Sequence, residues 1–443
     1  MTSRMGKIVL RTGSLWLMLT AGATAAWAQD VAPPIQPQVS AADTAWVLTS
    51  SALVLAMIVP GLALFYGGLV RSKNVLGTIM HSFIILCLVT LLWILFGYSL
   101  AFGPDHRGVI GGLEWAGLSG VGMAPHPTYG ATIPHQAFMV FQLMFAAITP
   151  ALITGAFAER IKFSALLLFS VLWSLLIYCP VAHWIWGGGW LGKLGALDFA
   201  GGAVVHISSG FGALACAIAL GKRQGYGTEY MAPHNLPLTL LGTGLVWFGW
   251  FGFNAGSALG ANQTAVVAFV ATHTAAATAA LTWLLVEWLH RGTPTVLGVA
   301  SGAVAGLATV TPGAGYVGPF SALLIGLLAG ALSYLAIAWK GKLGYDDSLD
   351  VVGIHGVGGI LGILAVGLLA SKAINPGGVD GLFFGNPSLL GIQALTALTT
   401  ALFSFVGTYV ILKLVNRVVG LRVSSDEERM GLDLSQHNER AYS

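Results

Sequence analysis

The length of its uncharged runs constrains this chain more than any other feature. No Asp, Glu, Lys or Arg occurs in residues 44–70, 74–104, 115–158, 163–192, 199–221, 230–286, 292–339, 351–371 or 381–412. A helix rises about 1.5 Å per residue, so about 20 residues cross a hydrocarbon core of ~30 Å. Seven of these runs fit one crossing each; in 115–158 the first half is polar and carries prolines, which places its crossing from about His135. The runs 230–286 and 292–339 fit two crossings each, with turn signals at "NAGSALGANQ" and "TPGAGYVGP". The pattern predicts an all-α integral membrane protein with eleven transmembrane helices. With 8% charged and 56% hydrophobic residues, a chain of 443 residues cannot cover itself with the charged surface a soluble protein needs.

The first residues read differently. Met1 to Arg11 is basic, Ser14 to Ala26 is short and apolar, and a small-x-small site ends at Ala28. This is the pattern of a secretory signal peptide over 1–28, with the mature chain beginning at Gln29. The mature N-terminus then lies outside and, after eleven spans, the C-terminus inside. Of the 17 Lys and Arg beyond residue 28, all but Arg107, Lys193 and Lys372 fall in segments this topology calls cytoplasmic, as the positive-inside rule requires. The net charge of +3 therefore reflects topology and points to no nucleic-acid partner. The expected organisation is a transmembrane domain over 29–418 and a cytoplasmic tail over 419–443.

Little supports catalysis. No segment between spans is long enough for a soluble enzyme domain, no Walker or Rossmann glycine loop is present, and no cofactor or metal set is expected. Cys87, Cys179 and Cys216 lie within spans without metal spacing and read as packing residues. The 60 glycines read as close helix contacts.

An internal repeat carries more. "DFAGGAVVHISSGFGAL" opens the fifth span and "DVVGIHGVGGILGIL" the tenth, each running from Asp through small residues to His and then glycines. Segments five spans apart enter from opposite faces, which predicts two inverted five-helix repeats plus a peripheral eleventh helix. His206 would lie about 12 Å beyond Asp198, near the midplane. His206 and His355 then read as a pair brought together across the repeat axis, or as buried histidines that only hold helices. His81, His183 and His273 lack such a counterpart and read as structural. Asp198 and Asp350 read as helix N-caps, with a cation-site role open for Asp198.

Among aromatics, Trp184, Trp186 and Trp190 sit at the outer end of span four, where an interfacial belt is the plain explanation. Phe141 and Phe145 lie one turn apart in span three, and Phe253 and Ser257 at the outer end of span six. Spacing does not decide whether these face lipid, core or a pathway.

These residues, with "PGLALFYGGLVRSKN", "GAFAERIKFSA", "WGGG", "PHNLPLTLLGTG", "GWFGFNAGSA" and "GIHGVGG", resemble the ammonium transporters, the Amt/Mep/Rh family, in order from about Asp43 to Tyr442. The resemblance is nearest to the bacterial Amt branch. It implies an outer recruitment site of Trp186, Phe145 and Ser257, supported from behind by Asp198, with Gln142 nearby. It implies a stacked gate of Phe145 and Phe253 and twin pore-lining histidines, His206 and His355. It also implies a homotrimer in the bacterial inner membrane, ammonium, ammonia and methylammonium as substrates, and a PII-family signal protein docking at the cytoplasmic face. The tail would be ordered against loops of a neighbouring subunit, in place of the solvated, disordered end that its charge and length suggest. The expected function is uptake of ammonium that is deprotonated and conducted as ammonia, with net charge. The alternatives are an electroneutral gas channel and an ammonium sensor signalling through a PII-type partner; the short tail after Gly420, which shows no signalling domain, favours transport over sensing. An intramembrane enzyme is not expected, because no nucleophile pairs with either histidine in sequence.

Overall fold

The computed structural model describes residues 38–442; the signal-peptide reading of 1–28 lies outside them. From Val39 onward the chain is one structural unit. Among the described residues, eleven helices are long and apolar enough to cross a membrane: α1 Ala41–Leu69, α2 Ser72–Phe102, α3 His135–Phe157, α4 Phe163–Leu194, α5 Gly202–Leu220, α6 Leu236–Gly256, α7 Gln263–Arg291, α8 Val296–Gly313, α9 Pro319–Leu343, α10 Val352–Leu369 and α11 Pro387–Val419. Both long uncharged runs divide at the anticipated turns. Between α2 and α3 lie two small hairpins, β1 (Asp105–His106) with β2 (Ile110–Gly111) and β3 (Pro125–His126) with β4 (Gly130–Pro134).

Local signals set the ends. Ser40, Asn235, Asn262 and Thr295 cap α1, α6, α7 and α8, each accepting a backbone N–H three residues on. Gly292 and Gly344 close α7 and α9 in the left-handed conformation. Along α11, Leu398, Leu402, Val406, Val410, Leu414 and Val418 form an exposed apolar stripe. Such a stripe is unstable in water and at home in lipid, so the eleventh helix is peripheral.

Small residues set the helix packing. A Cβ built on Gly306 of α8 would lie 2.4 Å from the Ala275 carbonyl, and one on Gly326 of α9 would lie 2.6 Å from the same oxygen. The Ala279 carbonyl is approached likewise by Gly302 and Gly330. One strip of α7 thus seats two helices, each close enough for backbone contact only because the partner has no side chain there.

At the centre, α5 and α10 both begin as π-helical turns, Gly202–Ile207 and Val352–Val357. Asp198 caps the first: Oδ1 accepts the N–H groups of Gly201 and Gly202 at 2.9 and 2.6 Å, and Oδ2 those of Ala203 and Val204 at 2.8 and 3.1 Å. The second is capped by Asp347, whose Oδ2 accepts the Val352 N–H at 2.7 Å. This corrects the expectation for Asp350. That residue sits at φ +64° and its carboxylate is ion-paired to Lys340 Nζ at 2.5 Å. The repeat therefore aligns Asp198 and His206 with Asp347 and His355, the same spacing in each half. The two turns cross through glycine: a Cβ on Gly210 would meet Gly356 N at 2.2 Å, and one on Gly359 would meet Ile207 N at 2.9 Å.

The opposite end from Asp198 is tied by buried charge. Glu159, at φ +71°, accepts from Arg71 N and Nε at 2.7 and 2.9 Å and pairs with Arg223 at 3.3 Å. Arg223 also donates from N and Nε to Asp346 Oδ2 at 2.8 and 2.9 Å. Burial would raise the Glu159 carboxyl, but the Arg71 hydrogen bond and the two guanidinium charges hold it below the usual range. The tail is ordered upon this network as two short helices, α12 (Ser425–Met430) and α13 (Leu432–His437). Its described contacts are with its own chain's loops. Arg422 pairs with Glu428 at 2.7 Å, Glu428 accepts the Gln224 N–H at 2.7 Å, and Asp433 accepts the Gly77 N–H at 2.8 Å.

The central crossing gives a direct test. Gly210→Ala forces a methyl group against backbone that has no free rotamer to yield, and should destabilise the protein by about 1–3 kcal/mol or more. Gly244→Ala, where nothing lies within 4 Å, should stay within about 0.5 kcal/mol of the native protein. Thermal unfolding in detergent distinguishes the two; equal midpoints would show that the crossing is not tight.

Candidate functional site

A vestibule of about 800 Å³ opens at the end where α3 and α5 begin and α4 and α6 finish. Its lining includes Gln142 and Phe145 from α3, Trp186 from α4, Asp198 ahead of α5, and Ser257 just past α6. All the proposed recruitment residues therefore converge on one cavity, although they lie far apart in sequence. Tyr129, Phe138, Phe199 and Tyr316 also line it and were not singled out from the sequence.

Trp186, Asp198 and Ser257 are each held by an identifiable bond. Trp186 Nε1 donates to the Asp198 carbonyl at 2.8 Å, which fixes the indole while leaving its faces free. Asp198 thus works with both ends: its carboxylate caps α5 and its carbonyl orients Trp186. Burial pushes the Asp198 carboxyl up, opposed by the N–H groups it accepts. Its oxygens are occupied by those donors, which favours the support role over a direct cation site. Ser257 Oγ donates to the Phe253 carbonyl at 2.9 Å, so its lone pairs remain available as acceptors. Gln142 Oε1 is buried without a partner among the described residues.

Below the vestibule the rings touch in series. Phe145 meets Trp186 edge-on, with centroids 5.7 Å apart, and stacks on Phe253 at 4.3 Å and 29°. Phe253 lies 6.2 Å from the His206 ring. His206 stacks on His355 at 5.2 Å, and their Nδ1 atoms are 3.2 Å apart. Between two neutral rings that bond needs one Nδ1–H and one bare Nδ1, so the two imidazoles hold opposite tautomers. His206 Nε2 has no partner among the described residues. Past the pair is a small apolar cavity whose lining includes Leu62, Phe65, Val246, Trp250, Val304 and His355.

Trp250 was missed in the sequence. Its ring stacks on His206 at 5.5 Å and 25°, and its Nε1 donates to Thr311 Oγ1 at 2.9 Å. A signal was available, since Trp250 stands three residues before Phe253 and shares its helix face. Tyr129 gave none, because it lies in the β3–β4 turn, outside any periodic segment. Phe141 packs edge-on behind Phe145 at 5.0 Å. Of the histidines set aside, His183 bonds the Ala101 carbonyl at 3.0 Å and Asp105 at 2.9 Å, while His81 and His273 pack against aromatic rings.

Residues 45–442 match the model of the Ammonium Transporter Family. This chain belongs to the ammonium transporter family. It is 55% identical over 392 residues to a Bacillus subtilis protein named ammonium transporter, covering 88% of this chain and 96% of that protein. The crystal structure of Candida albicans Mep2 superposes with a TM-score of 0.83 at 37% identity, over 88% of each chain. A solved structure described as a sensor Amt protein superposes with a TM-score of 0.83 at 30% identity, over 89% of this chain and 98% of that one. As a multi-pass membrane protein of this transporter family, the chain presents its vestibule and ring series as the candidate transport path.

The Asp198 cap is open to test. Asp198→Ala removes the acceptor from four N–H groups at once, each orphan costing about 1–3 kcal/mol when buried. It should lower the unfolding midpoint and abolish transport. Asp198→Asn keeps one acceptor oxygen and should fall between. A native midpoint and full transport in the Ala variant would contradict the capping role.

Proposed function

We propose that this member of the ammonium transporter family takes up ammonium by capturing NH4+ in the vestibule, removing one proton, and conducting NH3 past His206 and His355. The observation that carries this reading is the unbroken series of ring contacts from Trp186 through Phe145 and Phe253 to the histidine pair. A partly desolvated cation gains about 0.5–2 kcal/mol from each aromatic face. Trp186 and Phe145 supply faces and Ser257 supplies an acceptor, which favours an ion that donates hydrogen bonds. The Phe145–Phe253 stack closes the way to hydrated ions until the rings part.

Proton removal supports selectivity. A charge at the centre of the bilayer costs at least ~2.5–3.5 kcal/mol. Ammonium avoids this by leaving its proton and crossing the apolar bore as ammonia; potassium has no proton to leave. The opposite tautomers offer ammonia an acceptor nitrogen on one ring and an N–H on the other. The released proton adds to the bare Nε2 of one ring, the shared proton shifts to the other Nδ1, and that second ring gives up its Nε2 proton, which leaves both tautomers reversed. On this reading net charge moves. An electroneutral gas channel would move none, and current on ammonium addition separates the two. The sensor reading draws on the superposition with the protein described as a sensor Amt, and the same current measurement bears on it.

The topology proposed with this function has a signal peptide at 1–28, a transmembrane domain over 29–418 and a cytoplasmic tail over 419–443. The vestibule faces outward from a bacterial inner membrane. We further propose a homotrimer with one pore per subunit and a PII-family trimer that plugs the cytoplasmic exits, since three linked loops on a threefold axis gain avidity. The ordered tail supports this by fixing the loops on which such a partner would land.

Three results are expected. Trp186→Leu should raise the ammonium concentration needed for half-maximal transport more than it changes the maximal rate. His206→Ala or His355→Ala should abolish selective transport, with some variants passing potassium through a wetter pore; methylammonium uptake of unchanged rate and selectivity in both would sink the histidine mechanism. Deleting 421–443 should lower transport and remove PII capture. A pull-down from nitrogen-shocked cells that recovers no PII protein with the intact transporter would count against the partner.

A further inference from the structure

The β3–β4 hairpin forms part of the vestibule lip. Thr128 and Tyr129, from its turn, both line the cavity. Tyr129 is tied to the capture surface, because its hydroxyl donates at 3.3 Å to the carbonyl of Gly187, the residue after Trp186. Its ring stacks on Phe138 at 5.2 Å and 13° and on His126 at 4.7 Å and 20°. The turn itself is closed by a hydrogen bond from the Thr128 N–H to His126 Nδ1 at 3.3 Å. A backbone N–H can only donate, so this bond fixes the tautomer: Nδ1 is bare and the ring's proton is on Nε2.

We infer that His126 is a proton-sensitive positioning residue for ammonium capture, and that a proton taken up at its Nδ1 from the outer solution weakens capture in the vestibule. The proton converts the acceptor of the Thr128 bond into a donor, so the bond breaks and the turn loses its closure. The same proton puts a positive charge against Tyr129, in the wall of a cavity that must attract a cation. Both effects act in one direction. The inference rests on the proposed capture role of the vestibule.

The surroundings leave His126 as the responsive group. Facing it are Trp115, with centroids 5.4 Å away, Tyr129, and His135 at 4.8 Å. His135 is held from its other side by the Tyr98 hydroxyl, on its Nε2. Asp105 bears on Tyr129 but is engaged by Lys193 and His183, and Glu114 lies beside His106. Among the described residues no carboxylate is bonded to His126, and partial burial holds its imidazole below the ordinary value. The sign follows: above that value the turn is closed and neutral, and as outer pH falls through it the charged, open form accumulates.

The test is initial transport by the full chain in proteoliposomes, with half-saturating ammonium concentration and maximal rate measured at outer pH from about 5 to about 7.5. In the native protein the half-saturating concentration should rise by about three- to tenfold toward the acid end, the scale of one lost hydrogen bond, with the maximal rate changing less. His126→Asn keeps a side-chain oxygen that accepts the Thr128 N–H, as Asn does in such turns, and cannot titrate. It should flatten the profile at the neutral-pH value. His126→Ala lacks both acceptor and charge and should also flatten it, at a higher value. A native slope in either variant overturns the inference. Trp186→Leu run alongside keeps the two readings apart: if it leaves the half-saturating concentration unchanged, the vestibule is not the capture site. If it raises that concentration while His126→Asn keeps the native slope, only the inference about His126 fails.

Discussion

The central crossing of the fold depends on one buried carboxylate. Asp198 binds four successive backbone N–H groups with two oxygens, and so fixes where α5 starts and which way its first turn faces. In lipid those donors have no water to turn to. The carboxylate has therefore a reason to be buried that does not involve the transported ion. From this cap the chain places His206 at the crossing with α10, and glycine at Gly210 and Gly359 lets the two π-helical turns approach until the imidazoles bond. The Asp198 carbonyl meanwhile aims Trp186 into the vestibule. The placement of Trp186 and of the histidine pair is thus set by one residue whose carboxylate oxygens are engaged by backbone donors.

The other end answers a different constraint. Loops of a membrane protein have little apolar surface to bury against one another, and here charge replaces it. Glu159 and Asp346 are fully buried, yet each is matched by guanidinium groups with good geometry. Removing one partner would strand the other, and such breaks are far more costly than the pair's net contribution. The network joins the ends of α1, α3, α5 and α9, so the loops at the end opposite Asp198 share one arrangement. The tail adds its own acceptors to this frame.

The spans were legible in the sequence because lipid demands about 20 apolar residues and forbids charge, a rule with few exceptions. The vestibule residues were legible through their motifs: Trp186, Phe145, Ser257 and Gln142 do meet at one cavity. Three things were less so. Asp350 read as a cap because it is adjacent to the helix start, but the chain turns there through a positive φ and the cap comes from Asp347, three residues earlier. Counting back the same distance from each histidine would have found it. Trp250 was readable as the face-mate of Phe253. Tyr129 was not, since a hairpin between spans has no periodicity to tell which side chain points toward a cavity formed by four other elements.

The tail's bonds also bear on the order of folding. Leu432 N–H donates to Asn74, 358 residues away, and Asp433 closes a contact of 356 residues with Gly77. Contacts of such separation form only after the chain is almost fully made, and the entropy of closing so long a loop grows slowly enough for a few hydrogen bonds to offset it. Asn74 and Gly77 lie at the start of the second span, among the earliest parts to enter the membrane. During synthesis their partners do not yet exist, and these contacts stay unmade until Leu432 and Asp433 emerge. The tail is thus a late clasp: a chain lacking Leu432 and Asp433 leaves the Asn74 side chain and the Gly77 N–H, at the head of the second span, without these partners.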